Sequence, residues 1–417
     1  MRSSWALSIV VSAALVMPLF AAASTPRPLH VFSGMPDGGD PIAPLTADSK
    51  GNLFGTTHSG GTANQGSVFE LTPDAHGGYT YSVIYSFEFG VGDAEQPDGG
   101  PLLMDSAGNL YGTTMYGGNQ GGFGAVYELS PVGGGWTEKV IYSFSCCTLD
   151  GFYPQGGVVM DGSGNLYGAT ENGGTNDVGI VFQLSPDGNG GWNESILYSF
   201  TGNRNSGPDG AAPVAGLVLD SAGNLYGTTF LGGHYLDGIV FELSPGQGGT
   251  WTEKILHAFN GTDGCNPAAR LIVDSAGNLY GTTFSLGGVN STCSVAGTVF
   301  RLSPASSGRW TETVLHKFPD STHDGNYPNA IVFDSAGNLY GTTYLGGTFG
   351  FGELFRLTPI ASGPWEESQV HIFLGGRGAG WPLAGPTVGI DGNLYGTASS
   401  YGGTNGQGAG AVYRFVP

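Results

Sequence analysis

Six aspartates each stand four residues ahead of a proline, at Asp37, Asp93, Asp150, Asp209, Asp263 and Asp324, while the seventh equivalent position holds Gly378. Carboxylates repeated at such regular distance could ring one mouth of a closed fold and bind calcium or a polyol. The same pattern is turn chemistry, because an Asp ahead of Gly and Pro caps the amides of its own loop. We read these residues first as turn formers, so no metal centre or cofactor is expected, calcium being the one ion such a ring would suit. A second set, Asp48, Asp105, Asp161, Asp220, Asp274, Asp334 and Asp391, reads as turn-forming throughout.

Other chemistry-bearing residues are scattered. His30, His257, His316 and His371 occupy a slot held elsewhere by Tyr85, Tyr142 and Tyr198, and an exchange of His for Tyr reads as packing. His58, His234 and His323 fall in loops, without the H-x-H or H-E-x-x-H spacing of a metal site. Aromatic residues peculiar to single copies, Tyr116, Phe123, Tyr235, Phe349, Phe351 and Tyr401, join His234 as a loop set able to stack on sugar rings or to pack locally. Catalysis would need unlike acids in one place, for which Glu95, Asp98 and Glu171 are the candidates. No nucleophile elbow or phosphate cradle is expected where no helix follows the glycines.

A repeat positions all of these. The run G-N-L-Y-G, with Phe for Tyr in the first copy, places its asparagines at Asn52, Asn109, Asn165, Asn224, Asn278, Asn338 and Asn393, spaced by 57, 56, 59, 54, 60 and 55 residues. That period suits one four-stranded blade of a β-propeller. In the fourth copy the strand-like runs are 216–219, 225–229, 239–243 and 254–259, here called A to D, with Ser244-Pro245 expected to end C. The central glycine of B, Gly227 in this copy, implies a close neighbour, for which we expect a Trp of the next blade from the W-x-E runs at Trp136, Trp192, Trp251, Trp310 and Trp365. Copy seven lacks a D strand, and residues 29–32 supply a spare one, so the ends should pair and close the ring. The expected fold is all-β: a seven-bladed β-propeller with four antiparallel strands per blade, its N-terminal strand completing the last.

Composition agrees with many short strands joined by glycine turns: 77 of 417 residues are Gly and 40% are hydrophobic. A net charge of −20 with only 13 basic residues excludes a nucleic acid or an anionic membrane as partner. Residues 1–23 read as a signal peptide, with Arg2, an apolar stretch from Trp5 to Phe20 and Ala21-Ala22-Ala23 as the cleavage site. The apolar stretch is short for a retained span, and no lipid-anchor cysteine follows it. Residues 24–417 are then one propeller domain, exported and monomeric, periplasmic or extracellular. In that oxidising setting Cys265 and Cys293, on loops that emerge side by side from strands A and B of one blade, are expected to form a disulfide. Cys146 and Cys147 remain as a vicinal bridge or an intermolecular pair.

The run D-S-A-G-N-L-Y-G-T-T, followed by G-G, V-F-E-L-S-P, W-T-E and I-L-Y-S-F, resembles the GloVer tandem-repeat family of bacterial secreted proteins over nearly all of residues 29–417. The resemblance implies repeats of propeller type and carries no activity. With every strong motif absorbed by the repeat, the expected function is binding or scaffolding, with carbohydrate or protein on the rim formed by the D–A and B–C loops. The alternative is a glycan-active or lactonase-like enzyme built on the three unlike carboxylates.

Overall fold

The computed structural model describes residues 26–417, apart from 91, 120, 147–148, 203–206, 286–292, 294, 320–323, 362, 376–378 and 402–407. The expected signal peptide, Cys147, His323 and Gly378 lie outside the described residues. Blade four shows how the repeat folds. Strand A is Val218–Leu219, B Leu225–Thr229, C Ile239–Pro245 and D Trp251–Ala258, paired in that order and antiparallel. Seven such sheets surround a central channel, with the A strands innermost. The chain is a seven-bladed β-propeller. Its only helical piece among the described residues is a single 3-10 turn, Gln247–Gly249, and no helix there is long and apolar enough to cross a membrane.

Three local expectations need correction. Strand A is two residues long rather than four, because next to the axis the backbones of adjacent blades crowd: a Cβ on Gly216 would collide with the carbonyl of Gly156. Strand C ends at its proline as expected, but runs two residues past Leu243 to include it. Pro245 still pairs with Trp251, and since B reaches only as far as Leu243, the missing N–H has no ladder to break. The space beside Gly227 is filled from its own blade, where a Cβ would come within 2.5 Å of Phe241 Cζ and 2.8 Å of Leu217 Cδ2. Trp251 packs one residue away and one blade back, its ring centroid 6.1 Å from that of Tyr167, and Trp310 repeats the contact on Tyr226 at 6.2 Å.

The core therefore lies between blades. Val240, Phe241, Leu243 and Phe259 are fully buried, and one apolar cluster joins Tyr167 and Phe200 to Leu225 and Phe241 across two blades. Every C–D ladder carries a bulge, at Val240/Phe241 in blade four, which adds a residue to D and sharpens its twist. At the seam Arg27–Val31 is strand D of blade seven and pairs with Ala411–Phe415, with Arg27 opposite Arg414 and Val31 opposite Ala411. Phe32 N donates to Gly410 O at 2.9 Å, and Thr387 Oγ1 to Leu45 O at 2.6 Å.

Candidate functional site: the top rim and the channel

The D–A and B–C loops emerge on one rim, as expected from an antiparallel meander. In several blades they pair there as a two-residue ladder, such as Gly210–Ala211 with Leu231–Gly232. The loop aspartates sit at these ladders with their carboxylates engaged by protein donors. Asp209 accepts from Thr201 N at 2.7 Å, Thr201 Oγ1 at 2.8 Å, Gly210 N at 2.6 Å and Tyr198 Oη at 3.1 Å. Asp93 receives Tyr85, Asp37 receives His30 and Asp263 receives His257, at 3.0 to 3.1 Å. The exchange of Tyr for His now has a cause, since both put a ring on the core and a donor at its tip. Burial holds His30 below its ordinary pKa, with Asp37 pulling the other way.

Five of the seven junctions also hold an acid that sequence reasoning passed over, the glutamate of W-x-E. Glu138, Glu194, Glu253, Glu312 and Glu367 each keep Oε1 buried without a hydrogen-bond partner. Burial raises Glu138 to about 8 and the other four to about 7, and the neighbouring loop aspartate adds to the rise at each. The signal was present as the invariant third position of a motif read only for its Trp. Tyr81 takes this slot where blade seven meets blade one, stacked on His30 at 3.6 Å. His371 is lowered to about 4 by burial.

Above the junctions runs a backbone frame that no motif announced. Asp40, Gln96, Tyr153, Ala212, Asn266, Tyr327 and Trp381, each just ahead of the rim proline, all have positive φ between 52° and 62°. Each donates its N–H to a B–C loop carbonyl of the preceding blade, as Tyr153 does to Phe123 O at 3.0 Å and Trp381 to Phe351 O at 2.9 Å. Non-glycine residues in this region cost energy and persist where the surroundings fix them. The frame is sevenfold. The side chains it carries are not.

The aromatic candidates divide accordingly. Phe351 lies against Trp381, centroids 5.6 Å apart, and is structural. Phe123 packs on Phe152 at 6.0 Å. Tyr235 and Phe349 are 54% and 56% exposed, on separate blades, with His234 edge-on to Tyr235. Tyr401 is in a rim strand, Ser400–Tyr401, and its side chain is outside the described residues. Tyr116 differs. Together with Phe89, which is 78% exposed and was missed because it lies in a D–A loop, it lines a rim groove of about 660 Å³ with Gln65, Glu95 and Gln96.

The three unlike carboxylates do not share a site. Glu95 lines that groove, accepting from Gly90 N at 3.1 Å, whereas Glu171 lines the central channel and accepts from Gln155 Nε2 at 2.8 Å. Asp98 lines neither cavity, and burial raises its pKa against the opposing charge of His58. The channel itself measures about 710 Å³.

On the rim of blade five Cys265 and Cys293 are joined in a disulfide with Cα atoms 6.3 Å apart, which fixes the expected blade register. The carboxyl of Asp237 lies beside this pair, buried and raised to about 6 by burial and by Asp263. Asp391 is not the turn equivalent of Asp220. Gly389 occupies that place, yet Asp391, two residues on, still receives Asn393 Nδ2 at 2.6 Å and Tyr395 Oη at 2.7 Å.

Three solved structures share the fold. An ancestral GH74 enzyme matches with a TM-score of 0.57 and 10% identity over 91% of this chain, and a PL25 ulvan lyase bound to -[GlcA(1-4)Rha3S]- with 0.54 and 10% over 93%. The extracellular domain of a hybrid two-component system from B. thetaiotaomicron gives 0.52 and 15% over 91%. The chain spans 96% of the lyase but only 48% and 39% of the other two. No curated protein matches the sequence. The Gloeobacter/Verrucomicrobia repeat, by contrast, matches residues 19–210 and 191–413, and with the repeat occupying nearly the whole ring the chain belongs to that tandem-repeat family.

Proposed function

We propose that this is an exported, non-catalytic binding propeller that recognises a neutral carbohydrate on its top rim, with the groove on blade two as the contact. The observation that carries this reading is the groove's composition. Two exposed aromatic residues, Phe89 and Tyr116, line it beside Glu95, Gln65 and Gln96, whose oxygens and amides suit sugar hydroxyls. The charge of −20 favours an uncharged glycan over a uronate or sulfated one. The glycan-active neighbours share only the fold, and an enzyme using Glu95, Asp98 and Glu171 would need one substrate to span two cavities.

Calorimetric titration with neutral and anionic oligosaccharides, with and without calcium, tests the reading. A neutral oligosaccharide should bind, and Phe89→Ala and Tyr116→Ala should each weaken it at least tenfold without moving the melting temperature. Binding that survives both substitutions rejects the groove. Turnover of the glycan, or capture of a protein in its place, rejects the non-catalytic carbohydrate reading.

A further inference from the structure

The central channel departs from its repeat at one station. Counting two residues back from the A-strand residue that pairs with the aromatic of the G-N-L-Y-G run gives Pro44, Pro101, Gly157, Gly216, Arg270, Ala330 and Gly385. Six of these are small or cyclic apolar residues that keep the bore open. Arg270 alone places a charge there, on a wall otherwise formed by residues such as Ile42, Ile272, Ile331, Phe230 and Phe284.

The guanidinium is held by its stem. Nε donates to Leu217 O at 3.1 Å, and Cδ lies over Gly216, where an added Cβ would come within 3.4 Å of it. Among the described residues no carboxylate lies within ion-pair distance and no acceptor meets the two terminal nitrogens. Glu171, the other charged wall residue, is already engaged by Gln155. Burial lowers the pKa of Arg270, as expected of a cation facing an apolar space. A partly desolvated cation with unused donors gains from an anion that meets it, and a guanidinium fork matches a carboxylate bidentately.

We propose that the channel is a binding site for a small monocarboxylate with an apolar body, its carboxylate on the terminal nitrogens of Arg270 and its hydrocarbon along the aliphatic wall. An inorganic anion would leave that wall unused, and the volume of about 710 Å³ is that of a small-molecule pocket. The site is separate from the rim groove and does not depend on it.

Isothermal titration of the full chain with octanoate, octanol, octylammonium and inorganic phosphate decides the matter. Octanoate should bind one to one and the other three at least tenfold more weakly. Arg270→Gln should reduce octanoate affinity at least tenfold, whereas Phe89→Ala should leave it unchanged. Octanol or phosphate binding as tightly as octanoate, or undiminished octanoate binding to Arg270→Gln, overturns the proposal. Should Arg270→Gln fail to fold, Ala330→Phe supplies the test by narrowing the bore at the next blade with Arg270 intact; octanoate binding of unchanged affinity in that variant also overturns it.

Discussion

At the scale of residues, the junction glutamates make the molecule sensitive to pH. Folding holds protons on Glu138, Glu194, Glu253, Glu312 and Glu367, near 7 to 8, that the unfolded chain releases above about 4.5. Their contribution is complete below the unfolded value and is lost as pH rises through the folded one. His371 acts in the opposite sense, being lowered to about 4, so its contribution is lost as pH falls below its ordinary value. Between pH 6.5 and 8.5 the glutamates dominate, and the melting temperature should fall across that window in scanning calorimetry. Glu253→Gln with Glu312→Gln should flatten the fall; a parent melting temperature that stays level across the window would mean that these acids are already ionised in the folded state. The turn aspartates were legible because Asx turns are local: Asp220 Oδ1 accepts from Ala222 N and Asn224 N, two and four residues away. The glutamates were not, since the groups that surround them, Tyr142 and Asp150 at Glu194 or Tyr198 and Asp209 at Glu253, come from the preceding blade and the loop that follows it.

At the scale of elements, strand order and ring closure followed from the period and from the unequal ends of the repeat. Removing residues 24–33 should leave Ala411–Phe415 as an open edge and sharply lower solubility or melting temperature; a truncated protein melting within about two degrees of the parent would refute the role of the seam. Trp251 is only half-buried, so Trp251→Ala should cost about 2 kcal/mol, below the range for a fully buried Trp, and urea unfolding measures it. Which neighbour fills the glycine of strand B was misjudged for a physical reason. Gly227 pairs with Phe241 across the ladder, so the nearest bulk comes from the adjacent strand, and Trp251 is left to cover Tyr167. The rim groove was only half legible: Tyr116 stood out as a loop aromatic, but Phe89 reaches the same groove from another loop by way of the fold.

At the scale of the whole molecule, the disulfide between Cys265 and Cys293 ties two loops of one blade across a separation of 28 residues. In the chain-entropy picture such a link contributes about 3 to 4 kcal/mol. Reduction should therefore lower the melting temperature by several degrees, and non-reducing peptide mapping should recover 265 linked to 293. A peptide joining 146 to either would contradict the blade register. The seam also sets a schedule. Synthesis runs from the amino end, so Arg27–Val31 is made well before its partner Ala411–Phe415. The ring can close only after Ala411–Phe415 has been made. A chain that stops short of residue 411 leaves Arg27–Val31 without its partner and the seam open, whichever blade it stops in.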